Sequence, residues 1–278
     1  MHASAATMRS LAVRWLALAV LLTAAGHAGC RSDSAPAALH AVSYRLEWSS
    51  EGAAIEPGGS GWETTTDRGY RVHVERGYLV DYSMELVECP KEVRESDADS
   101  LWAWFAERAA WAGHMPTTPN PAAIHTPHIE ALHAPTNFEV GALLLAPQRY
   151  CRVHYLIARS NRSAVGLPDD VDMVERSLYV RGTYQAATTA APSRFELGTS
   201  AANAVLTELF PPGRFGDHGA AFVVDTGREN ARVVIHRTLK SLFDGVEFDT
   251  MPKARIERQV LQNLIDHIEI AVQRSSDD

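Results

Sequence analysis

The sequence lacks a hydrophobic run long enough to cross a bilayer. Its most apolar stretch covers ten residues, 16–25, whereas a membrane-spanning helix needs about 20. Arg9 and Arg14 precede this stretch, and small residues follow it as far as Cys30. A basic start, a short apolar run and a small-residue end are typical of a secretory signal peptide. We therefore expect residues 1–29 to be a signal that is removed on export.

The end of this signal resembles a lipobox, the motif in which a cysteine becomes the lipid-modified N-terminus. The motif is Ala28-Gly29-Cys30, and lipidation of Cys30 would anchor the protein in a membrane. His27 stands where an aliphatic residue is usual, which leaves ordinary cleavage after Ala28 as the alternative. We expect an outer-membrane lipoprotein in the periplasm or at the cell surface, with a tether at 30–41 and one domain at 42–274.

The chain also has little positive charge. It carries 26 Lys and Arg against 34 Asp and Glu, for a formal net charge of −8. Removal of the signal takes away two arginines and no acid, so 24 basic residues against 34 acidic ones give the mature chain a charge of −10. Binding to nucleic acid depends on clustered basic residues that neutralise phosphates. We therefore expect no nucleic-acid partner.

Cysteine is scarce, with three in the whole chain. Besides Cys30 there are only Cys89 and Cys151, each beside a strand-like run. In an oxidising compartment two such cysteines most simply form a disulfide. A pair of buried thiols is the alternative, and a separation of 62 positions does not fit the ligand spacing of a zinc site.

Alternating apolar and polar residues predict a mostly β protein. The pattern is clear at Tyr44, Leu46 and Trp48, and it recurs in many short runs separated by turn residues. Gly77 is expected to break the run that starts at Gly69. We predict a β-sandwich with two helices. The predicted elements other than strands are a short helix over 101–112, an irregular Pro- and His-rich loop over 113–137, and a C-terminal amphipathic helix from Ile256 to Val272.

Motifs of common enzymes are missing. The sequence has no Gly-x-Ser-x-Gly elbow, no phosphate-binding loop and no dinucleotide fingerprint. Four of the 12 histidines instead fall within twenty residues, in the predicted loop. Neutral imidazole is a good ligand for copper and zinc, and a neighbouring thioether favours Cu(I). The candidate metal ligands are His114 and His128 first, then His125, His133 and Met115. A solvated loop without metal is the other interpretation.

Several segments, taken together and in order, resemble the MbnP-like family. The C-terminal third has a strand, a Leu-Phe-Asp-Gly turn at 242–245 and a helix with Gln-Asn-Leu at 262–264. The earlier segments that are similar to the family are 66–70 with 78–86, 148–157 and 178–184. The similarity extends over most of residues 43–268.

This resemblance implies an immunoglobulin-like β-sandwich in the periplasm that binds copper and has no catalytic residues of its own. It also implies a partner, a MauG-type diheme peroxidase, which in the best-known members oxidises a tryptophan to kynurenine. The tryptophans common in the family near 173–179 are absent, so the candidate for such a modification is Trp111, with Trp48 and Trp62 as alternatives.

We therefore expect an exported lipoprotein that binds copper for acquisition, storage or delivery. One alternative is a structural or interaction lipoprotein without metal. A more remote alternative is a zinc hydrolase with Glu130 as the base.

Overall fold

The computed structural model describes residues 39–56, 58, 61–89, 120–189, 191–209, 222–224 and 231–274. Strands predominate in this part of the chain, as the alternating pattern predicts. The strands are β1 (His40–Ser49), β2 (Ala53–Ile55), β3 (Trp62–Thr65), β4 (Arg71–Glu88), β5 (Ala123–Ile124), β6 (His128–Ala131), β7 (Phe138–Leu145), β8 (Gln148–Ile157), β9 (Leu178–Gln185), β10 (Ser193–Thr199), β11 (Asn203–Glu208), β12 (Phe222–Val224), β13 (Ala231–Thr238) and β14 (Glu269–Arg274). One helix, α1 (Lys253–Asp266), completes the regular elements of the described residues.

The strands form two sheets, which confirms the predicted mostly β sandwich. The smaller, sheet A, has the order β14-β13-β1-β7, with β1 and β13 parallel and the other neighbours antiparallel. The larger, sheet B, is built around the long strand β4, which pairs with β3, β9, β8, β5 and β6. Strands β10 and β2 extend sheet B through β9 and β3, and β11 and β12 extend it through β8.

The main core lies between the sheets, and strands such as β1 contribute alternate residues to it. Tyr44 and Leu46 of β1, together with Ile235 of β13, are completely buried. They belong to the same cluster as Leu79 and Leu86 of β4. This period of two is the physical basis of the alternation in the sequence.

Helix α1 closes one side of this core. Its buried face includes Ile256, Val260 and Leu264, which recur every four residues, and the helix contacts β10 and β11. The predicted helix extended to Val272, which is wrong: the chain leaves the helix at His267, and Glu269–Arg274 pairs with β13 as an edge strand. The β-branched residues Ile270 and Val272 fit that strand as well as they fit a helical repeat.

Two further predictions need correction. Gly77 does not break a strand but lies buried inside β4, where a Cβ would come within 3.0 Å of Leu132. The predicted irregular loop over 113–137 holds the strands β5 and β6 in its described part, where both pair with β4. Proline and histidine at strand ends gave this segment the composition of a loop. The predicted helix over 101–112 lies outside the described residues. Among the residues that are described, no helix is long and apolar enough to cross a membrane.

Candidate functional site

A disulfide joins the end of β4 to β8, as expected from the two body cysteines. The Sγ atoms of Cys89 and Cys151 are 2.10 Å apart and their Cα atoms 4.8 Å. A backbone hydrogen bond of 3.0 Å from the Cys89 N–H to the Arg149 carbonyl supports the same junction. Cys30, the predicted site of lipidation, lies outside the described residues. So do the candidate for modification, Trp111, and the predicted metal ligands His114 and Met115.

A carboxylate flanked by histidine lies close to this disulfide. Glu85 of β4 is opposite His154 of β8, with its Oε2 3.8 Å from His154 Nδ1. Asn120 donates a hydrogen bond of 2.5 Å to Glu85 Oε1. Both side chains are less than one fifth exposed. They project from the face opposite the core, because the residues on either side of each are buried core residues.

Electrostatics favour the ionised form of Glu85. Burial alone would raise the pKa of its carboxyl, but the adjacent His154 ring and the hydrogen bond from Asn120 outweigh this effect and lower the pKa. The positive charge that His154 and His125 carry when protonated lowers it further. His125, one of the predicted ligands, is exposed just after β5.

The predicted ligand His128 begins β6 and is half-buried. Its ring lies 6.2 Å from the ring of Phe138 in sheet A, measured between centroids. Burial lowers the pKa of this imidazole. The uncharged form, which is the form that binds metals, is therefore favoured.

Both ring nitrogens of the predicted ligand His133 already have hydrogen-bond partners. Its Nε2 lies 2.7 Å from Arg76 Nη1, and its Nδ1 lies 3.1 Å from the Gly77 carbonyl oxygen. A guanidinium has only N–H donors, so the Nε2 lone pair accepts this hydrogen bond and Nδ1 carries the proton. Burial and the charge of Arg76 lower the pKa of the ring, which keeps it neutral. A metal could reach Nε2 only after Arg76 had moved.

Sequence reasoning missed a buried polar network between the two sheets. We call it the inter-sheet network: Arg237 and Trp48 from sheet A, and Asp81, Glu130 and Tyr155 from sheet B. Arg237 forms a bidentate ion pair with Glu130, which also accepts a hydrogen bond of 2.8 Å from the indole N–H of Trp48. The guanidinium carbon lies 4.2 Å from the centre of the Trp48 ring, within range of a cation–π interaction.

Asp81 completes this network on the other side of Arg237. Its Oδ1 accepts a hydrogen bond of 3.1 Å from Arg237 Nη1 and another from the hydroxyl of Tyr155. Two carboxyl groups thus share one guanidinium in a site without solvent. Burial, followed by the negative charge of Glu130, holds the pKa of Asp81 well above its usual range. The same surroundings raise the pKa of Tyr155.

This geometry bears on the chemistry available to Glu130. Both of its oxygens are occupied by Arg237 and Trp48, and the residue is 7% exposed. A general base must reach the proton that it removes. Glu130 is therefore placed as a structural counter-ion and does not reach a solvent-facing substrate.

Among the residues that the structure describes, no three His, Cys, Asp or Glu side chains are grouped so that they could hold a metal ion. Histidine and carboxylate meet in pairs in this part of the chain, His73 with Glu56 at 3.1 Å, His236 with Glu47 at 3.3 Å and His154 with Glu85 at 3.8 Å. The last pair is the one whose carboxyl pKa is also lowered by a predicted ligand, His125. An imidazole and a carboxylate suit a transition metal. The neutral imidazole of His128 is a further candidate ligand. Comparison with family models, with curated proteins and with solved structures found no match to this chain.

Proposed function

We propose that the chain is an exported copper-binding protein, that His154 and Glu85 contribute two ligands, and that predicted histidine ligands, which the described part of the structure does not group with these two, complete the set. The observation that carries the proposal is the juxtaposition of His154 and Glu85 on the outer face of sheet B, with His125 acting on the same carboxylate. Nitrogen ligands on rigid strands suit copper, because fixed elements hold a ligand more closely than a loop does.

Export is the second part of the proposal. The disulfide between Cys89 and Cys151 supports it, since such bonds persist in oxidising compartments and are rare in the cytosol. With the signal-like residues 1–29, this favours a periplasmic or surface lipoprotein anchored through Cys30. The proposed role is binding, not catalysis, for copper acquisition, storage or delivery, with a MauG-type diheme peroxidase as partner.

Metal retention tests the proposal. Purified mature protein is loaded with copper, dialysed and analysed by elemental mass spectrometry, and it should retain about one copper per chain. His125→Ala with His154→Ala should abolish retention. The matched control is His236→Ala with His267→Ala, which removes two imidazoles from sheet A and the end of α1 and should retain copper as the wild type does.

The sequence-based ligand pair is tested in parallel with His114→Ala and His128→Ala. Loss of copper in this variant alone would assign the site to that pair and would reject the contribution of His154. A wild-type protein that retains no copper would refute metal binding and favour the structural or interaction lipoprotein.

A mass measurement tests the anchor and the partner. Protein from its native host should carry a diacylglycerol on Cys30, and a kynurenine would appear as one tryptophan that has gained oxygen and lost carbon. Unmodified protein that begins after Ala28 would contradict the lipid anchor, although export would still hold.

A further inference from the structure

A long connection between β8 and β9 lies across the outer face of sheet B. Its ends are fixed together at Ser160, whose N–H donates to the Arg176 carbonyl at 2.9 Å and whose carbonyl accepts from the Glu175 N–H at 3.2 Å. The Ser160 hydroxyl adds a hydrogen bond of 2.5 Å to the Met173 carbonyl. Residues 161–174, called the cover below, therefore form a closed loop on a fixed base.

The cover is attached to the edge of β6 by backbone hydrogen bonds. The Val165 N–H donates to the Pro127 carbonyl at 2.9 Å, and the Ile129 N–H donates to the Val165 carbonyl at 2.8 Å. Gly166 follows with a φ of +82°, and a Cβ there would lie 2.5 Å from the Ile129 carbonyl oxygen. Glycine thus allows the close approach.

One carboxylate fastens the other side of the cover. Asp170 accepts a hydrogen bond of 2.7 Å from the Tyr78 hydroxyl and lies 3.0 Å from Arg76 Nε. The same Arg76 donates through Nη1 to His133 Nε2, and the rings of Tyr78 and His133 meet edge to face at 5.4 Å. Asp170 therefore holds Arg76 in the position from which Arg76 donates a hydrogen bond to Nε2 of His133.

The apolar contacts under the cover are separate from the main core. Ala164 and Met173 from the cover pack with Tyr78, Val80 and Ile129 in a small cluster of their own. Lifting the cover would expose this cluster and leave the core between the sheets intact. Segments with few buried apolar contacts are the ones that open below the free energy of global unfolding, and irregular loops of this length are commonly functional.

We propose that residues 161–174 form a hinged cover that opens as one unit on the intact sandwich and controls access to the imidazole of His133. The fixed base at Ser160 and Arg176 is the hinge, and Asp170 is the latch. When the latch is released, Arg76 loses its counter-ion and no longer holds the Nε2 lone pair of His133. This gating does not depend on copper binding, so its test is independent of the test of the proposed function.

Chemical labelling tests the cover in the full mature protein with its disulfide intact. Diethylpyrocarbonate reacts with a free imidazole lone pair, and mass spectrometry measures its rate at each histidine. Asp170→Ala should raise the labelling rate of His133 roughly five- to tenfold, the effect of losing one hydrogen bond to a charged group and a half-exposed ion pair. Labelling of exposed His125 should not change and serves as the internal reference.

Two further variants complete the test. Asp169→Ala removes the neighbouring exposed carboxylate, for which no partner is found in the described part of the chain, and it should leave His133 labelling unchanged. Gly166→Ala should raise the labelling as Asp170→Ala does, because the added Cβ displaces the cover from the opposite side.

Hydrogen exchange distinguishes opening of the cover from unfolding. The Ile129 and Val165 amides should exchange faster in Asp170→Ala, while amides of the β1–β13 ladder keep their wild-type rates. Unchanged His133 labelling in both Asp170→Ala and Gly166→Ala would overturn the proposal. An increase that is accompanied by faster exchange throughout the ladder would overturn it as well, because global unfolding would then explain the access.

Discussion

Replacement of Asp81 by Asn is expected to stabilise the protein at neutral pH and to have little effect near pH 4. Asp81 is 1% exposed, and burial first and the charge of Glu130 second hold the pKa of its carboxyl above the ordinary 3.8. The unfolded chain releases this proton at its ordinary pKa, whereas the folded chain retains it. The contribution of Asp81 to stability is therefore complete below pH 3.8 and is lost as the pH rises toward the folded-state pKa.

The magnitude follows from linkage. Between the two pKa values the free energy of unfolding falls by about 1.4 kcal/mol per pH unit for this group. Asn is uncharged at every pH, and its Oδ1 can still accept from Arg237 and Tyr155. We expect Asp81→Asn to gain about 1 to 3 kcal/mol at neutral pH.

Urea unfolding at about pH 4, 5.5 and 7 measures this effect in the disulfide-bonded protein. The stability of Asp81→Asn relative to the wild type should increase with pH. Asp169→Asn, which neutralises an exposed carboxylate, should show no such trend. If Asp81→Asn were less stable by the same amount at every pH, Asp81 would be ionised in the folded protein and the reasoning would fail.

Three other variants and one control probe the scaffold. Arg237→Met leaves two buried carboxyl groups without their cation and should lower the free energy of unfolding, measured in urea, by about 3 to 5 kcal/mol. A loss below about 1 kcal/mol would contradict the role of Arg237 as their counter-ion. Cys89→Ser with Cys151→Ser should cost about 4 kcal/mol in thermal unfolding, and a reductant should then destabilise the wild type but not this variant. Gly182→Ala places a Cβ 1.9 Å from a backbone oxygen of β4 and should prevent stable folding, as seen by circular dichroism. Gly198→Ala, whose nearest neighbour is a side-chain atom at 3.4 Å, should change stability by less than about 1 kcal/mol.

Local patterns predicted much of the fold because burial in a sheet repeats every two residues. The alternation at Tyr44, Leu46 and Trp48 matches the inward face of β1. The end of the helix could not be predicted, because Ile268 and Val272 continue a helical repeat and also alternate as a strand. Only pairing with β13 decides between the two, and this is a tertiary interaction.

The inter-sheet network was missed for a different reason. Asp81 and Arg237 are 156 positions apart, so no local spacing links them. A signal was present in each strand, since Asp81 follows Leu79 and Val80 in an apolar run and Glu130 follows Ile129. An acid inside an apolar strand must find a partner when it is buried. The sequence indicates that a partner is needed but not which arginine provides it.

The inter-sheet network also determines which side chains the outer face of sheet B presents. Tyr155 points inward to Asp81, and the preceding residue, His154, therefore points outward to Glu85. A slip of one residue in β8 would exchange the two, because successive side chains of a strand lie on opposite faces. Such a slip would leave Asp81 without Tyr155 and place an imidazole beside Arg237. Replacing a buried ion pair by hydrophobic residues is often neutral, whereas removing one partner of the pair is strongly destabilising. We infer that this network fixes the register of β8 on β4, and with it the pairing of His154 and Glu85 on which the proposed copper site depends.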